Sequence, residues 1–384
     1  MNSFDTQNPW TYHNPVKVIF GLGSLVHLKD IINFKCILLV TSASQKKNGM
    51  ADKIKIMLKN SEVILFDEVR SNPTLIQIDH CAKKISNNKI DCIISLGGGS
   101  VIDTAKALSL ILANPKKSSI VEYLNPKHSF SENGALPHFS IPTTGGSSSE
   151  VTPFLTLWDS ILHRKISIND ECIFPAYAIL DPELTLGLPG KASVSSGLDA
   201  ISHALESIWN KNSNNITHSL AKKSLELSLF TIERMHHDLT DVNARANMMQ
   251  ASILAGFSIS QTKTGLAHSI SYPLTANYNL DHGIACSFSL VELFKFNYQF
   301  DDGRLDDMLR HLKFKNANEF IGFLDSLFHS LKIKKYFQER INSYSLVYSH
   351  LYEMLSSERS ANNFTSININ DLSLILSETE KRFF

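Results

Sequence analysis

Four residues in the second half of the chain have the types and spacing of a metal site: Asp199 and His203 in SSGLDAISHALE, His268 in KTGLAHSISYPL, and His282 in LDHGIACSF. Asp199 and His203 are four apart in a helical pattern, so both project from one face and can hold one ion. His268 follows a long helical periodicity and His282 sits in a turn before Gly283, so each can converge on that ion from a neighbouring element. One carboxylate and three imidazoles suit a borderline divalent ion such as Fe(II) or Zn(II) better than a hard ion such as Mg(II). Taken singly, each of the 15 histidines is more often a surface or satisfied polar residue than a ligand, so the quartet needs support from other motifs.

Two glycine-rich turns carry a second kind of chemistry. DCIISL runs straight into GGGSVIDTAK, which puts Gly97, Gly98, Gly99 and Ser100 where a strand gives way to a helix. Glycine lets the backbone come close to a ligand, and the first helical turn aims free N–H groups and a positive dipole end at the same place, an arrangement that suits a pyrophosphate. Ser100 and Asp103 also resemble a helix-capping pair, which would give those two side chains a purely structural part. The second cluster, IPTTGGSSSEVTP, offers backbone amides and the hydroxyls of Thr143, Thr144, Ser147, Ser148 and Ser149. Such loops can be plain turns, yet two of them at strand ends of one α/β region favour a nucleotide crevice.

The elements that must hold these residues fall into two regimes. Up to about residue 188, short apolar runs (CILLV at 36–40, SEVILF at 61–66, DCIISL at 91–96) alternate with helical patterns such as Met50 to Lys59 and Leu75 to Ser86. That rhythm predicts a parallel sheet with crossover helices. Past LDPELTLGLP the extended runs stop and long helical periodicities take over, as in Ala221 to Met235 and Ala244 to Ser260. The expected organisation is an α/β nucleotide-binding domain over 1–188 and an all-α domain over 189–384, with the polar segment 125–140 as a surface excursion.

Lysine plus arginine (37) equals aspartate plus glutamate (37), so no global field exists to draw in nucleic acid or an anionic membrane. Cys36, Cys81, Cys92, Cys172 and Cys286 are scattered without a C-x-x-C pair, which reads as small core residues in a reducing compartment. With no secretory pattern and no apolar stretch near the ~20 residues of a membrane span, a cytoplasmic enzyme is the expectation.

Together, GGGSVIDTAK, PTTGGSSSEVTP, LDPELTLGLP followed by SSGLDAISHALE, GLAHSISYPL and DHGIA resemble the iron-containing (group III) alcohol dehydrogenases, in the family's order, from about Asn14 to Ala285. The resemblance implies a Rossmann-like α/β domain with a helical domain, the dehydroquinate synthase-like architecture, a metal in the cleft between the two, and a homodimer. It also implies that Asp199, His203, His268 and His282 are the metal ligands, that Gly97, Gly98, Gly99, Ser100 and Asp103 form the pyrophosphate loop, and that Thr143 and Thr144 lie on the second cofactor loop, to which Ser147 and Ser149 belong. The implied reaction is hydride transfer between NAD(P)H and a short aldehyde, polarised by Fe(2+) or Zn(2+).

Three departures from the family pattern matter. The run after the paired threonines is Gly145, Gly146, Ser147, Ser148, Ser149 here. A histidine often found four residues after the third ligand, associated with proton transfer, is Tyr272. The first strand ends in LLVTS, so Ser42 stands where many NAD-preferring members carry a ribose-binding aspartate, and Lys46 and Lys47 are close in sequence; NADPH use is therefore expected beside NADH. TPFLTLWD, QTKTGLAHSISYPLTANY and Tyr272 look most like the phosphonoacetaldehyde reductase branch, with Lys263 as the cation for a phosphonate and Arg164 with Lys165 as a second choice. The alternatives are a general short-chain dehydrogenase (butanol, lactaldehyde or 1,3-propanediol type), a dehydroquinate synthase-like lyase, and a non-catalytic binding protein.

Overall fold

The structure, a computed structural model, describes residues 9–114, 119–124, 134–162 and 164–383. It comprises two compact units: Asn14–Thr144 with Ser148–Gly187, and Leu188–Phe384 with Met1–His13 and Gly145–Ser147.

In the first unit the strands are β1 (Lys17–Phe20), β2 (Cys36–Thr41), β3 (Glu62–Phe66), β4 (Cys92–Gly97), β5 (His138–Pro142), β6 (Phe154–Asp159), β7 (Arg164–Asn169) and β8 (Tyr177–Leu180). The helices are α1 (Leu28–Ile31), α2 (Ala43–Lys47), α3 (Met50–Met57), α4 (Leu75–Ile85) and α5 (Gly99–Ala113). Six strands form a parallel sheet in the order β1-β8-β5-β4-β2-β3. β2 and β4 are apolar almost throughout because both faces of a parallel sheet are covered. Alternate residues go to opposite layers: Leu38 and Val40 pack with Ile78, Ala105 and Leu108, while Ile37 and Leu39 pack with Leu28, Ile54 and Leu58.

From β2 the chain runs to β3 on one side and to β4 on the other, which makes the carboxyl ends of β2 and β4 the topological switch point where ligands bind in open α/β sheets. Strand ends are level there, with Thr41 paired to Leu96 and Gly97 to Pro142. Ser42, the triple glycine and Thr143 therefore emerge side by side.

Two features of this unit depart from the sequence-based expectation. The segment 125–140 was expected at the surface; 125–133 lies outside the described residues, but His138–Ser140 belongs to the buried strand β5. Its polar residues satisfy one another, with Ser95 Oγ 2.8 Å from His138 Nε2 and 3.3 Å from Ser140 Oγ, so their polarity disguised a core strand. TPFLTLWD is not part of the parallel rhythm either: β6 pairs antiparallel with β7 as a separate two-stranded ribbon.

The second unit contains α6 (Gly190–Ile208), α7 (Asn215–Leu229), α8 (Ile232–His237), α9 (Val242–Thr262), α10 (Leu266–Tyr278), α11 (His282–Ser287) and α12 (Leu290–Tyr298), then further helices ending with Ile369–Phe383. No strand follows Leu180 among the described residues, and no described helix is long and apolar enough to cross a membrane. The expected single helix Ala221 to Met235 is two, α7 and α8, broken at Phe230 and Thr231. Leu225, Leu229, Ile232 and Met235 keep the apolar period across the break, which is why periodicity joined them. α6 is buried over its whole second half, Gly197 to Ile208.

Candidate metal and cofactor sites

α6 carries Asp199 and His203 one turn apart in its buried half, α10 carries His268 in its first turn, and α11 opens with His282. The structure brings all four together. Asp199 Oδ1 lies 3.4 Å from His268 Nε2, 3.6 Å from His203 Nε2 and 3.8 Å from His282 Nε2. These separations are too long for good hydrogen bonds. They match neighbouring ligand atoms around one ion, since bonds of about 2.0–2.2 Å in a tetrahedron put ligands roughly 3.4 Å apart. Asp199 Oδ1 and His268 Nε2 are buried without any hydrogen-bond partner, which costs stability unless something else meets them.

The electrostatics favour a cation at the same point. Burial alone would raise the Asp199 carboxyl, but His203, His282 and His268 hold it far below the usual carboxylate range. Burial pushes His203 down to about 4 against the pull of Asp199, so the ring is neutral, the form that binds a metal. Burial also opposes a charge on His268, yet Cys286 and Glu206 draw its ring well above the ordinary imidazole range. A divalent ion at Nε2 would take the place of that proton.

Two glycines, one on α11 and one in the loop after β5, let the backbone approach α6. A Cβ on Gly283 would lie 1.7 Å from the Ser195 carbonyl oxygen, and one on Gly146 would lie 2.1 Å from that of Ser196. Both contacts are to the backbone of α6, so no side chain could rotate away.

Sequence reading missed Glu206. Its Oε2 is 2.5 Å from His268 Nδ1, and its Oε1 accepts the His268 backbone N–H at 3.1 Å. A carboxylate on the far nitrogen fixes which tautomer His268 presents to a metal. The signal was there, since Glu206 is seven residues after Asp199 and three after His203, on the same face of α6. Cys286, read as a core residue, also reaches the cluster: its Sγ is 3.6 Å from both ring nitrogens of His282.

At the switch point, α5 begins at Gly99 with Gly98 as its N-cap and no capping side chain; the Val101 N–H turns back to the Gly98 carbonyl at 2.9 Å, and no side chain caps the first turn. The capping reading of Ser100 and Asp103 does not hold. Ser100 Oγ instead accepts the Asn72 N–H at 3.3 Å, and Asp103 accepts from Ser149 Oγ at 2.5 Å and from the Thr156 N–H at 2.9 Å. A Cβ on Gly98 would come 3.1 Å from the Thr144 methyl, and the Thr143 N–H donates to the Gly97 carbonyl at 3.1 Å, so the two loops are interlocked.

Asp103 and Ser149 thus act on each other. Beneath them Lys106, fully buried, donates to Ser149 Oγ and to the carbonyls of Thr152 and Phe154. Burial pulls the Lys106 ammonium down to about 8 and pushes the neighbouring Glu150 carboxyl up to about 7. Ser42 is the residue before α2 and its Oγ pairs with that of Ser44 at 2.9 Å; Lys46 is ion-paired to Asp67 at 2.8 Å. Ser147 belongs to the helical unit with Gly145 and Gly146.

With this geometry in place, the comparisons with known proteins agree. Residues 15–182 match the family described as iron-containing alcohol dehydrogenase, and residues 193–378 match its C-terminal region. Alcohol dehydrogenase 4 of Schizosaccharomyces pombe is 31% identical over 308 residues, 78% of this chain and 72% of that protein. The chain belongs to the iron-containing alcohol dehydrogenase family.

Other members are as close. Sulfoacetaldehyde reductase of Bilophila wadsworthia is 31% identical over 295 residues, 75% of each protein. Among solved structures, sulfoacetaldehyde reductase from Bifidobacterium kashiwanohense in complex with NAD+ has a TM-score of 0.87 at 26% identity, covering 98% of this chain and 99% of that one. A 1,3-propanediol oxidoreductase has a TM-score of 0.90 at 22% identity, covering 97% and 100%, which speaks for the fold alone. The fold is thus the dehydroquinate synthase-like one of iron-containing alcohol dehydrogenases, and the chain is an oxidoreductase of that family. Against the family pattern, Tyr272 is half-buried one turn after His268 on α10. Lys263, the residue that ends α9, has φ 63° and ψ 177°, a region that side chains rarely occupy.

Proposed function

We propose that this protein is a metal-dependent, NAD(P)H-dependent reductase of short aldehydes bearing an anionic head group, with Asp199, His203, His268 and His282 as metal ligands. The observation that carries the reading is the convergence of three imidazole Nε2 atoms on Asp199 Oδ1 at 3.4–3.8 Å. Iron or zinc suits this donor set, and when bound supplies a Lewis acid that stabilises negative charge on the reacting oxygen. Glu206 orients His268 through Nδ1. Gly97, Gly98, Gly99 and Ser100 receive the pyrophosphate at the head of α5, with Thr143, Thr144 and Ser42 along the rest of the cofactor. Asp103, Ser149 and Lys106 hold the second loop from beneath rather than touching the cofactor. Tyr272 holds the alcohol proton, directly or through water, and an ordinary tyrosine near pKa 10 would be a slow base at neutral pH.

Lys263 provides the cation for the substrate's head group. It is five residues before His268 in the same unit, and its backbone is held in a conformation that costs ~1–3 kcal/mol, which a chain keeps where the residue's position matters. Motif detail favours phosphonoacetaldehyde, giving 2-hydroxyethylphosphonate. The similarity to two sulfoacetaldehyde reductases favours the sulfonate of the same shape as a second reading. Arg164 is held near Asp159 in the β6–β7 ribbon, which weakens it as the alternative cation.

Exposed Val18 and Phe20 on the edge strand β1 support association into a homodimer. Five unpaired thiols support a reducing compartment such as the cytoplasm. The test is an aldehyde panel of phosphonoacetaldehyde, sulfoacetaldehyde and butyraldehyde with NADH and with NADPH, on wild type and Lys263→Ala. Net cofactor oxidation is expected, with the KM of the anionic aldehydes raised in the variant and that of butyraldehyde unmoved. Turnover without net oxidation would point to a lyase, and equal KM changes for all three would remove Lys263 from the substrate site.

A further inference from the structure

A buried thiol, Cys286, lies beside the Asp199, His268 and His282 cluster. We propose that Cys286 is itself a metal ligand, its thiolate joining the carboxylate and imidazoles in the substrate-free protein. This rests on the metal reading above and adds a donor of a different chemical class to it.

Asp199, His268, His282 and Cys286 present one ligand atom each, all within 4.8 Å of one another. Cys286 is four residues after His282 on α11, so both side chains leave the same face of that helix. Its Sγ is fully buried and 3.6 Å from either ring nitrogen of His282, in a cluster that also holds the unpartnered Asp199 Oδ1 and His268 Nε2. Those two groups, 6% and 2% exposed, point independently to a cation at the spot the sulfur faces. An ion there would bind the sulfur as thiolate, and the thiol proton would leave to solvent as the ion enters.

Two consequences follow from donor chemistry. A thiolate is softer than imidazole or carboxylate, so it tilts the site toward zinc over iron relative to an all-oxygen and nitrogen set. In the group of Asp199, His268, His282 and Cys286 the thiol stands where His203 does not, so the thiolate would compete with His203 for a place on a four-coordinate ion.

Cobalt(II) loading tests this directly, because cobalt–thiolate bonds give an intense near-ultraviolet charge-transfer band, whereas oxygen and nitrogen ligands give only weaker visible bands. Cys286 is the one cysteine of the helical unit, the other four lying between residues 36 and 172. The wild-type cobalt protein should show the charge-transfer band, and Cys286→Ser and Cys286→Ala should lose it while keeping the visible bands. Zinc affinity in both variants should fall by ~10-fold or more, the scale set by losing even an outer-shell partner. X-ray absorption on zinc-loaded wild type needs no variant and should show a sulfur at about 2.3 Å. Visible bands without the ultraviolet band, a band surviving in the variants, or no sulfur shell would overturn the proposal and leave the metal reading standing. Failure of wild type to bind cobalt or zinc at all would overturn both.

Discussion

Glu206 grips His268 twice, accepting the backbone N–H with one carboxylate oxygen and facing Nδ1 with the other at 2.5 Å. Burial would raise the Glu206 carboxyl, but His268 holds it below the usual range, so the pair stays polarised toward carboxylate and imidazolium-like ring. Glu206→Gln keeps the shape and removes the charge. Outer-shell changes of this kind cost about 10–100-fold in metal affinity. Chelator competition should find a loss in that range, with a parallel fall in kcat at limiting metal. Unchanged affinity would show that Glu206 serves folding alone.

Metal removal should reveal itself in stability as well as rate. An ion present at 100 times its Kd adds about 2.7 kcal/mol to the folded state. Chelation should therefore abolish aldehyde reduction and lower Tm, and Fe(II) or Zn(II) should restore both. In Asp199→Asn, which removes the negative charge that faces three imidazoles, added metal should no longer shift Tm. A metal-induced shift that persists in the variant would place the ion elsewhere.

How much of this was legible in the sequence depends on what each residue does. The quartet Asp199, His203, His268 and His282 and the triple-glycine turn stood out because their types are costly to keep and their spacing encodes helix faces and strand ends. The parallel sheet was legible from CILLV, SEVILF and DCIISL because burial on both faces demands unbroken apolar runs. His138 and Ser140 concealed β5, since their polarity is cancelled by Ser95, 43 and 45 residues earlier on β4, a cancellation that no local pattern announces. The parts of Asp103 and Cys286 were hidden for the same reason, as both depend on partners brought near only by the fold.

The buried carboxyl of Glu150 sets a pH dependence of stability. Burial raises it from 4.5 to about 7, partly offset by Lys106. The folded state therefore holds a proton that the unfolded chain has already lost. The cost of ionising Glu150 is absent below about pH 4.5, grows as pH rises through 7, and reaches on the order of 3 kcal/mol by pH 8. Glu150→Gln should raise Tm at pH 8, leave it nearly unchanged at pH 4.5, and flatten the slope between. An equal Tm shift at both pH values would mean that the carboxyl is not what titrates.

Lys263 sets stability against recognition. Its φ of 63° and ψ of 177° belong to a region that glycine enters freely and side chains do not. Lys263→Gly should relieve that strain and raise stability by about 1 kcal/mol, whereas Lys263→Ala keeps a Cβ and gains little. Both remove the ammonium, so both should raise the KM for phosphonoacetaldehyde and sulfoacetaldehyde alike while leaving butyraldehyde near its wild-type value. Denaturant melts and the aldehyde panel on the two variants separate the backbone contribution from the charge. A stabilised glycine variant with unaltered anionic-aldehyde KM would assign the strain to the turn before Gly265 and exclude Lys263 from substrate binding.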